Sequence, residues 1–124
     1  MIIEKPLRIG AVIRELLLSS EAVRGHVGDR VYPYSTLVEV KGDHIVYDGI
    51  SVDFVQVKDG EYPESITMNI GCNTSDYMAG IDLAEKVIDV FEDHQDIAVT
   101  AASCEYDGGA LMYTHSITIN IDVE

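Results

Sequence analysis

Histidines and carboxylates that lie close together in the sequence are the side chains that could bind a metal ion or exchange protons. One group contains Asp43, His44 and Asp48, and a second contains His94 and Asp96. Neither spacing corresponds to a two-histidine or histidine–carboxylate motif that holds a metal. Because acidic loops and strand edges commonly carry such residues as solvated side chains, we predict no metal site. An alternative interpretation places a small enzyme site in the first group, between Asp43 and Asp48.

Nucleophiles and cofactor-binding loops give no stronger signal. Cys72 and Cys104 each fall in a strand-like run, which favours small, buried and reduced side chains, and no Cys–His family signature surrounds Cys104. Gly108 and Gly109 are typical of a hairpin turn, since the sequence contains no G-x-G-x-x-G or G-x-x-x-x-G-K motif. His115 lies in phase with the apolar positions of the last strand, as expected of a core or interface histidine. We therefore predict no catalytic residue, no cofactor and no enzymatic activity.

The balance of charge is the strongest signal in the composition. The 124 residues include 22 acidic and 8 basic side chains, which gives a formal net charge of −14 at pH 7. Such a surface repels phosphate backbones, so ordinary nucleic-acid binding is disfavoured. The acidity is compatible with simple solubility, with a channel that DNA must pass without adhering, and with a module that blocks a basic partner.

Length and hydropathy predict one folded domain, residues 1–124. Hydrophobic residues make up 47% of the chain, which is too many for a disordered protein. No apolar run approaches the roughly 20 residues of a membrane span, so we expect no membrane partner. The first residues show no basic segment before an apolar run, so we expect no signal peptide and synthesis in the cytoplasm.

Residues 65–91 contain two adjoining patterns with different periods. In the first half apolar side chains alternate with polar ones, which predicts a strand whose buried face is formed by Ile66, Met68, Ile70 and Cys72. In the second half apolar side chains recur at steps of three and four, which predicts a helix. Its predicted stripe is Tyr77, Ile81, Ala84, Ile88 and Phe91, widened by Leu83, Val87 and Val90. A helix laid on one face of a sheet would bury both apolar surfaces.

The remaining elements flank this unit. A helix is predicted over residues 6–18, followed by a short helical turn that ends at Gly28. A possible short strand at 37–41 precedes residues 44–57, which form either one bent strand or a hairpin around Gly49. Residues 58–63 are predicted to be an exposed loop. Strands at 97–106 and 111–123, joined by a glycine-rich turn, form an antiparallel hairpin. The order α–(β)–β–α–β–β predicts an α+β domain with a mostly antiparallel sheet and helices packed on one face.

The segment from Ile13 to Pro33 resembles the opening of the tail-completion proteins of long-tailed bacteriophages. That family has a helix, a break, an Ala-Val pair and a Val-Gly-Asp-Arg-Val-Tyr-Pro-like segment. The residues that match in order are Ala22, Val23, Val27, Gly28, Asp29, Arg30, Val31, Tyr32 and Pro33. The order of the later elements is similar over nearly the whole chain, although the segment from Tyr34 to Tyr62 departs from the usual strand start.

The resemblance implies a structural phage or prophage protein. Such proteins form a ring, often of six subunits, at the head-proximal end of the tail tube, where they stop tube growth and join the tail to the head. DNA passes through the ring without specific binding. The implied partners are copies of the same chain, tail-tube proteins and head-connector proteins. The implied location is the host cytoplasm during assembly and then the virion tail. The residues that we predict at a subunit interface or at the lumen are Arg30, Tyr34, Asp43, Asp59, Glu61 and Glu64.

Overall fold

Three α-helices and five strands make up the residues that the computed structural model describes, which are 5–34 and 42–123. After a 3-10 turn at Pro6–Arg8, the elements in chain order are α1 (Ile9–Ser19), α2 (Glu21–Val27), β1 (Val31–Pro33), β2 (His44–Val57), β3 (Gly60–Thr74), α3 (Tyr77–Glu92), β4 (Ile97–Asp107) and β5 (Met112–Asp122). The short strand predicted at 37–41 lies outside the described residues. None of the helices in the described ranges is long and apolar enough to cross a membrane.

The five strands form one mixed sheet in the order β1-β2-β3-β5-β4. The pairs β2–β3, β3–β5 and β4–β5 are antiparallel, whereas β1 runs parallel to β2 with Val31 beside Ile45. The predicted α+β class is therefore confirmed, but the predicted order omits α2 as a separate helix and β1. The first helical region divides because the Ser20 hydroxyl accepts a hydrogen bond from the Val23 N–H and begins α2.

Residues 44–57 form a single bent strand rather than a hairpin. Gly49 has a φ of 63°, and the pairing of β2 with β3 shifts between Asp48 and Ser51, which marks a bulge. The prediction of an exposed loop at 58–63 is wrong in its conformation, although residues 58–62 are exposed. Only the turn at Lys58 and Asp59 is irregular, and β3 begins at Gly60 and continues the hairpin. Gly60 adopts a φ of 134°, which lets the chain reverse tightly enough for the two strands to stay paired.

The core lies between the helices and one face of the central strands. The alternation in β3 and β5 is confirmed, because Ile66, Met68 and Ile70 in β3 and Ile117 and Ile119 in β5 are buried, while every second residue between them is partly exposed. Ile70, which is predicted on the buried face of its strand, is fully buried, and so is Ile119. None of the described helices covers the opposite face of these strands, which is polar.

Helix α3 is rotated relative to its predicted stripe. Its buried residues are Gly80, Leu83, Val87 and Phe91. Ile81, Ala84 and Ile88 are only partly buried, and Tyr77 is 48% exposed. The apolar pattern alone misplaces the face because Gly80 carries no hydrophobic side chain, although it lies directly against His115 of β5. The helix begins at Asp76, whose carboxylate accepts a hydrogen bond from the Ala79 N–H at 2.9 Å.

Candidate functional site

Two of the predicted interface residues, Arg30 and Asp43, lie together where β1 meets β2. The Arg30 Nε donates to the Asp43 carbonyl oxygen at 2.9 Å, and the Asp43 carboxylate lies 2.7 Å from the His26 Nε2. Arg14 donates to the carbonyl oxygens of Val31 and Asp29 beside them. These contacts tie α1, α2 and the β1–β2 connection together, so Arg30 and Asp43 stabilise the fold locally.

The group Asp43, His44 and Asp48 does not converge on one point. His44 pairs with Asn73 and Asp48 pairs with Asn69, so these two side chains are separated by four strand residues, or about 13 Å. The His44 Nδ1 lies 3.1 Å from the Gly42 carbonyl oxygen, and the Asp43 carboxylate faces His26 instead. Within residues 5–34 and 42–123, no group of three or more His, Cys, Asp or Glu side chains is placed to hold a metal ion. His44 and Asp48 both line one open groove of about 530 Å³, but the three side chains do not form a metal-ligand set.

His94 and Asp96 form the tight connection between α3 and β4. The His94 N–H donates to the Phe91 carbonyl oxygen, and the His94 carbonyl oxygen accepts from the Ile97 N–H. The Asp96 carbonyl oxygen accepts from the Asp122 N–H at 2.8 Å. This second group therefore contributes main-chain contacts that position β4 at the edge of the sheet.

The face of the sheet without helices carries a ladder of neutral polar side chains across β3 and β5. Thr118 donates to Asn69 at 2.9 Å, Thr114 donates to Asn73 at 2.6 Å, and Asn120 donates to Thr67 at 3.2 Å. Along residues 67–73 of β3 and 114–120 of β5, every side chain on this face is uncharged. These groups already bond to one another, and several of them line an open groove of about 530 Å³ together with His44, Asp48 and Asp107. Their alternation of Thr, Asn and Ser is the signal in the sequence that marks this face.

Asp59, Glu61 and Glu64 lie at the other end of β2 and β3. The Glu61 carboxylate accepts a hydrogen bond from the Gln56 amide at 2.5 Å, and the Glu64 carbonyl oxygen accepts from the Val123 N–H. The hairpin that carries these acids therefore lies away from Arg30 and Asp43. Tyr34 lies near the latter pair, where its N–H donates to the Tyr47 carbonyl oxygen and its side chain is 51% exposed. The six predicted interface residues thus form two groups at opposite ends of the sheet.

Sequence reasoning missed a set of exposed apolar side chains at the same two ends. Phe54, Val55, Val57 and Tyr62 are exposed on the β2–β3 hairpin. At the opposite end the exposed residues are Tyr77, Met78, Tyr106 and Leu111. The ring of Tyr113 contacts the rings of Tyr77 and Tyr106, whose centroids lie 5.5 Å and 4.7 Å from its own, respectively. Large apolar residues grouped on a surface mark protein–protein contacts.

His115 and the cysteines border the tyrosine cluster. His115 is only 8% exposed, and neither ring nitrogen has a hydrogen-bond partner among the described residues. Burial lowers the pKa of His115, so the ring is neutral at pH 7. Cys72 is buried as predicted, and burial raises the pKa of its thiol to about 12. Cys104 is exposed, contrary to the prediction, because β4 is an edge strand that α3 does not cover at this position.

Comparison with known proteins identifies the fold. No protein-family model matches the chain, and no curated protein matches it. Among solved structures, a chain from a structure described as the virion of a native gene transfer agent (GTA) particle superposes with a TM-score of 0.76. The alignment covers 94% of each chain at 16% sequence identity. The fold described above is therefore shared, over nearly its whole length, with a chain from a virion structure.

Proposed function

We propose that this chain is a structural subunit of a phage or prophage virion, and that it caps the tail tube as a ring and joins the tail to the head. The observation that carries the proposal is the likeness in fold to a chain from a gene transfer agent virion, at a TM-score of 0.76 over 94% of both chains. The tail-completion-like segment from Ala22 to Pro33 supports the same role from the sequence.

The edges of the sheet support assembly into a larger object. Strand β4 is eleven residues long and ends the sheet, and it contains no proline or lysine of the kind that discourages pairing between edges. Strand β1 covers only Ile45 to Tyr47 of β2, on the opposite edge. Strand edges of this kind serve as contacts between subunits, and a head-to-tail contact that closes on itself produces a ring.

The distribution of charge supports a ring that DNA traverses. The acidic side chains of the described residues lie on the helices, in the turns and on the strands outside residues 67–73 of β3 and 114–120 of β5, whose open face is neutral. A duplex that passed along this neutral face would meet no cation there that could hold its phosphates. The protein would thus act without catalysis, in contact with tail-tube and head-connector proteins, during assembly in the host cytoplasm and then in the virion tail.

Purified tail tubes that lack their cap protein provide the test. We expect the chain to bind one end of each tube, to form a ring there that is visible by electron microscopy, and to make the tubes competent to join DNA-filled heads. An unrelated acidic protein of similar size and charge is the control for nonspecific adsorption. A strict monomer that never binds tail tubes would refute the proposal.

A further inference from the structure

The hairpin formed by β2 and β3 extends beyond the rest of the sheet. Strand β5 pairs with β3 only as far as Ser65, opposite Asp122. Residues 54–63, which we call the arm, continue outward and, within residues 5–34 and 42–123, pair only with each other, through Phe54–Pro63, Val55–Tyr62 and Val57–Gly60. At about 3.3 Å per residue, the free length of the arm beyond Ser65 is roughly 15 Å. The arm is therefore long enough to reach a neighbouring molecule.

One face of the arm is apolar and uncovered. Val55 and Tyr62 are paired directly, and Val57 lies two residues further along the same strand, so all three share one face. Their side chains are 37%, 54% and 48% exposed, respectively. Together with Val123 they line a groove of about 530 Å³. Val123 is buried and follows the core-facing residues of β5, so this groove lies beside the end of the core.

A second apolar surface lies at the opposite side of the sheet, between α3 and the edge strand β4. Leu16 and Ser20 lie beside the flank of α3 that carries Lys86 and Val90. The opposite flank of α3 therefore faces β4. We call this flank, together with the exposed β4 residues on the same side of the sheet, the α3–β4 surface. The helix contributes Tyr77, Ile81, Ala84 and Ile88, and the strand contributes Ala102, Cys104 and Tyr106. The outer edge of β4 beside it has no strand partner among the described residues.

We propose that the arm of one copy of this chain lies along the free edge of β4 in the next copy and packs its apolar face on the α3–β4 surface. The inference rests on the proposed ring and names the contact that builds it. Two different surfaces on one molecule, at opposite ends of the sheet, produce a head-to-tail contact in which each subunit gives an arm and receives one. The partner that we propose is a second copy, because one chain carries both the arm and the α3–β4 surface.

The available area agrees with this contact. Half-exposed aromatic and aliphatic side chains on the two surfaces offer together on the order of 700 Å² of apolar area. Since an interface is about 60% apolar, this corresponds to roughly 1,200 Å² of total buried surface, near the lower limit for a specific complex. The contact is therefore expected to be weak between free subunits and to gain strength on a tail tube that holds several copies side by side.

Charge makes the contact stronger at high salt. Asp59 and Glu61 lie on the arm and Glu64 lies at its base, and Glu85, Glu105 and Asp107 lie beside the α3–β4 surface. Both partners are thus acidic, and their repulsion is screened beyond about 8 Å at an ionic strength of 0.15 M. The apolar contact itself is insensitive to this screening, so association rises with salt.

Three aspartate substitutions separate this contact from other modes of assembly. Val57→Asp alters the arm, Tyr106→Asp alters the α3–β4 surface, and Leu7→Asp is the matched control, since Leu7 is 74% exposed and belongs to neither surface. In sedimentation experiments at high salt we expect wild type and Leu7→Asp to associate. Val57→Asp and Tyr106→Asp should each associate about thirtyfold more weakly. An equimolar mixture of these two should form dimers, because an intact arm then meets one intact surface. Unchanged melting temperatures establish that the variants are folded.

Three results would overturn the inference: association of Val57→Asp or Tyr106→Asp equal to that of wild type, no dimer in the mixture, or a wild-type protein that stays monomeric at every salt concentration. Binding of the same proteins to tail tubes is measured in parallel. If the variants cap tubes as well as wild type does, the proposed function stands and only the arm contact is refuted. Wild type that neither associates nor caps tubes refutes both.

Discussion

Gly80 of α3 lies directly against the imidazole of His115 on β5. A methyl group on Gly80 would overlap the ring and would lie 2.7 Å from the hydroxyl oxygen of Thr74. Both neighbours are buried, and Thr74 is held by a hydrogen bond to the Asp76 carbonyl oxygen. The glycine thus sets how closely the helix approaches the sheet, and with it the position of the α3 flank that faces β4.

The Gly80→Ala substitution should therefore destabilise the protein. Overpacking of a core costs about 1–3 kcal/mol, which exceeds the roughly 1 kcal/mol by which alanine is favoured over glycine within a helix. Thermal unfolding followed by circular dichroism measures the change. The control is Gly25→Ala in α2, where an added methyl meets no atom within 4 Å and should raise the melting temperature. If Gly80→Ala were as stabilising as Gly25→Ala, the close approach of α3 to β5 would be wrong.

The register of the last strand is tested at Ile119, which is fully buried and pairs with Met68. Ile119→Ala should lower the free energy of unfolding by about 2–5 kcal/mol, because it removes buried methyl groups and leaves a cavity. Thr118→Ala, one residue away on the open face, loses only a hydrogen bond to Asn69, worth about 1 kcal/mol. Denaturant titration of both variants measures whether Ile119→Ala loses more free energy of unfolding than Thr118→Ala. Equal effects would show that the two faces of β5 are assigned incorrectly.

Local sequence patterns correctly predict the strands that have one buried face. Ile66 to Cys72 and Ile117 to Ile121 alternate without interruption, so the period of two is visible in the sequence. The arm was missed because Gly60 and Pro63 are typical of a loop, and only pairing with β2 makes these residues a strand.

Long-range contacts account for the other differences. Val31 joins the sheet through parallel pairing with Ile45, fourteen residues later, which no local pattern records. The exposure of Cys104 follows from the position of β4 at the sheet edge, which depends on the order of all five strands. The exposed apolar side chains could not be recognised in advance for the same reason: residues such as Val57 and Tyr106 are typical of a strand whether or not a helix covers them.

Protonation of His115 should lower stability in mild acid. Burial lowers the pKa of His115 in the folded state below its usual value of 6.5, so the unfolded chain binds a proton more readily. The resulting destabilisation begins as the pH falls through about 6.5 and grows until the folded state also titrates. His115→Phe, which keeps a ring of similar size, should lose less stability than wild type between pH 7 and pH 5. Parallel unfolding curves at both pH values measure this difference. Identical pH dependence in the two proteins would contradict it.

A metal chelator should leave folding and assembly unchanged. His44 and Asp48 lie about 13 Å apart along β2, and the Asp43 carboxylate contacts His26, so these three residues do not form a set of metal ligands. Melting temperature and tube binding are compared before and after treatment with EDTA, and metal content is measured by mass spectrometry. A transition metal bound with Asp43, His44 or Asp48 among its ligands would restore the enzyme interpretation.

Thiol labelling distinguishes the two cysteines and reports on assembly. Cys72 is buried with a thiol pKa of about 12, so a maleimide reagent should leave it unmodified in the folded protein. Cys104 is exposed on the α3–β4 surface and should react, so folded monomer gives one labelled thiol per chain, denatured protein gives two, and folded Cys104→Ser gives none. In assembled protein the arm of the neighbouring copy would cover Cys104 and slow its labelling. Val57→Asp at the same salt and protein concentration should keep the monomer rate. Full reactivity of Cys104 in assembled wild type would place the contact between subunits elsewhere.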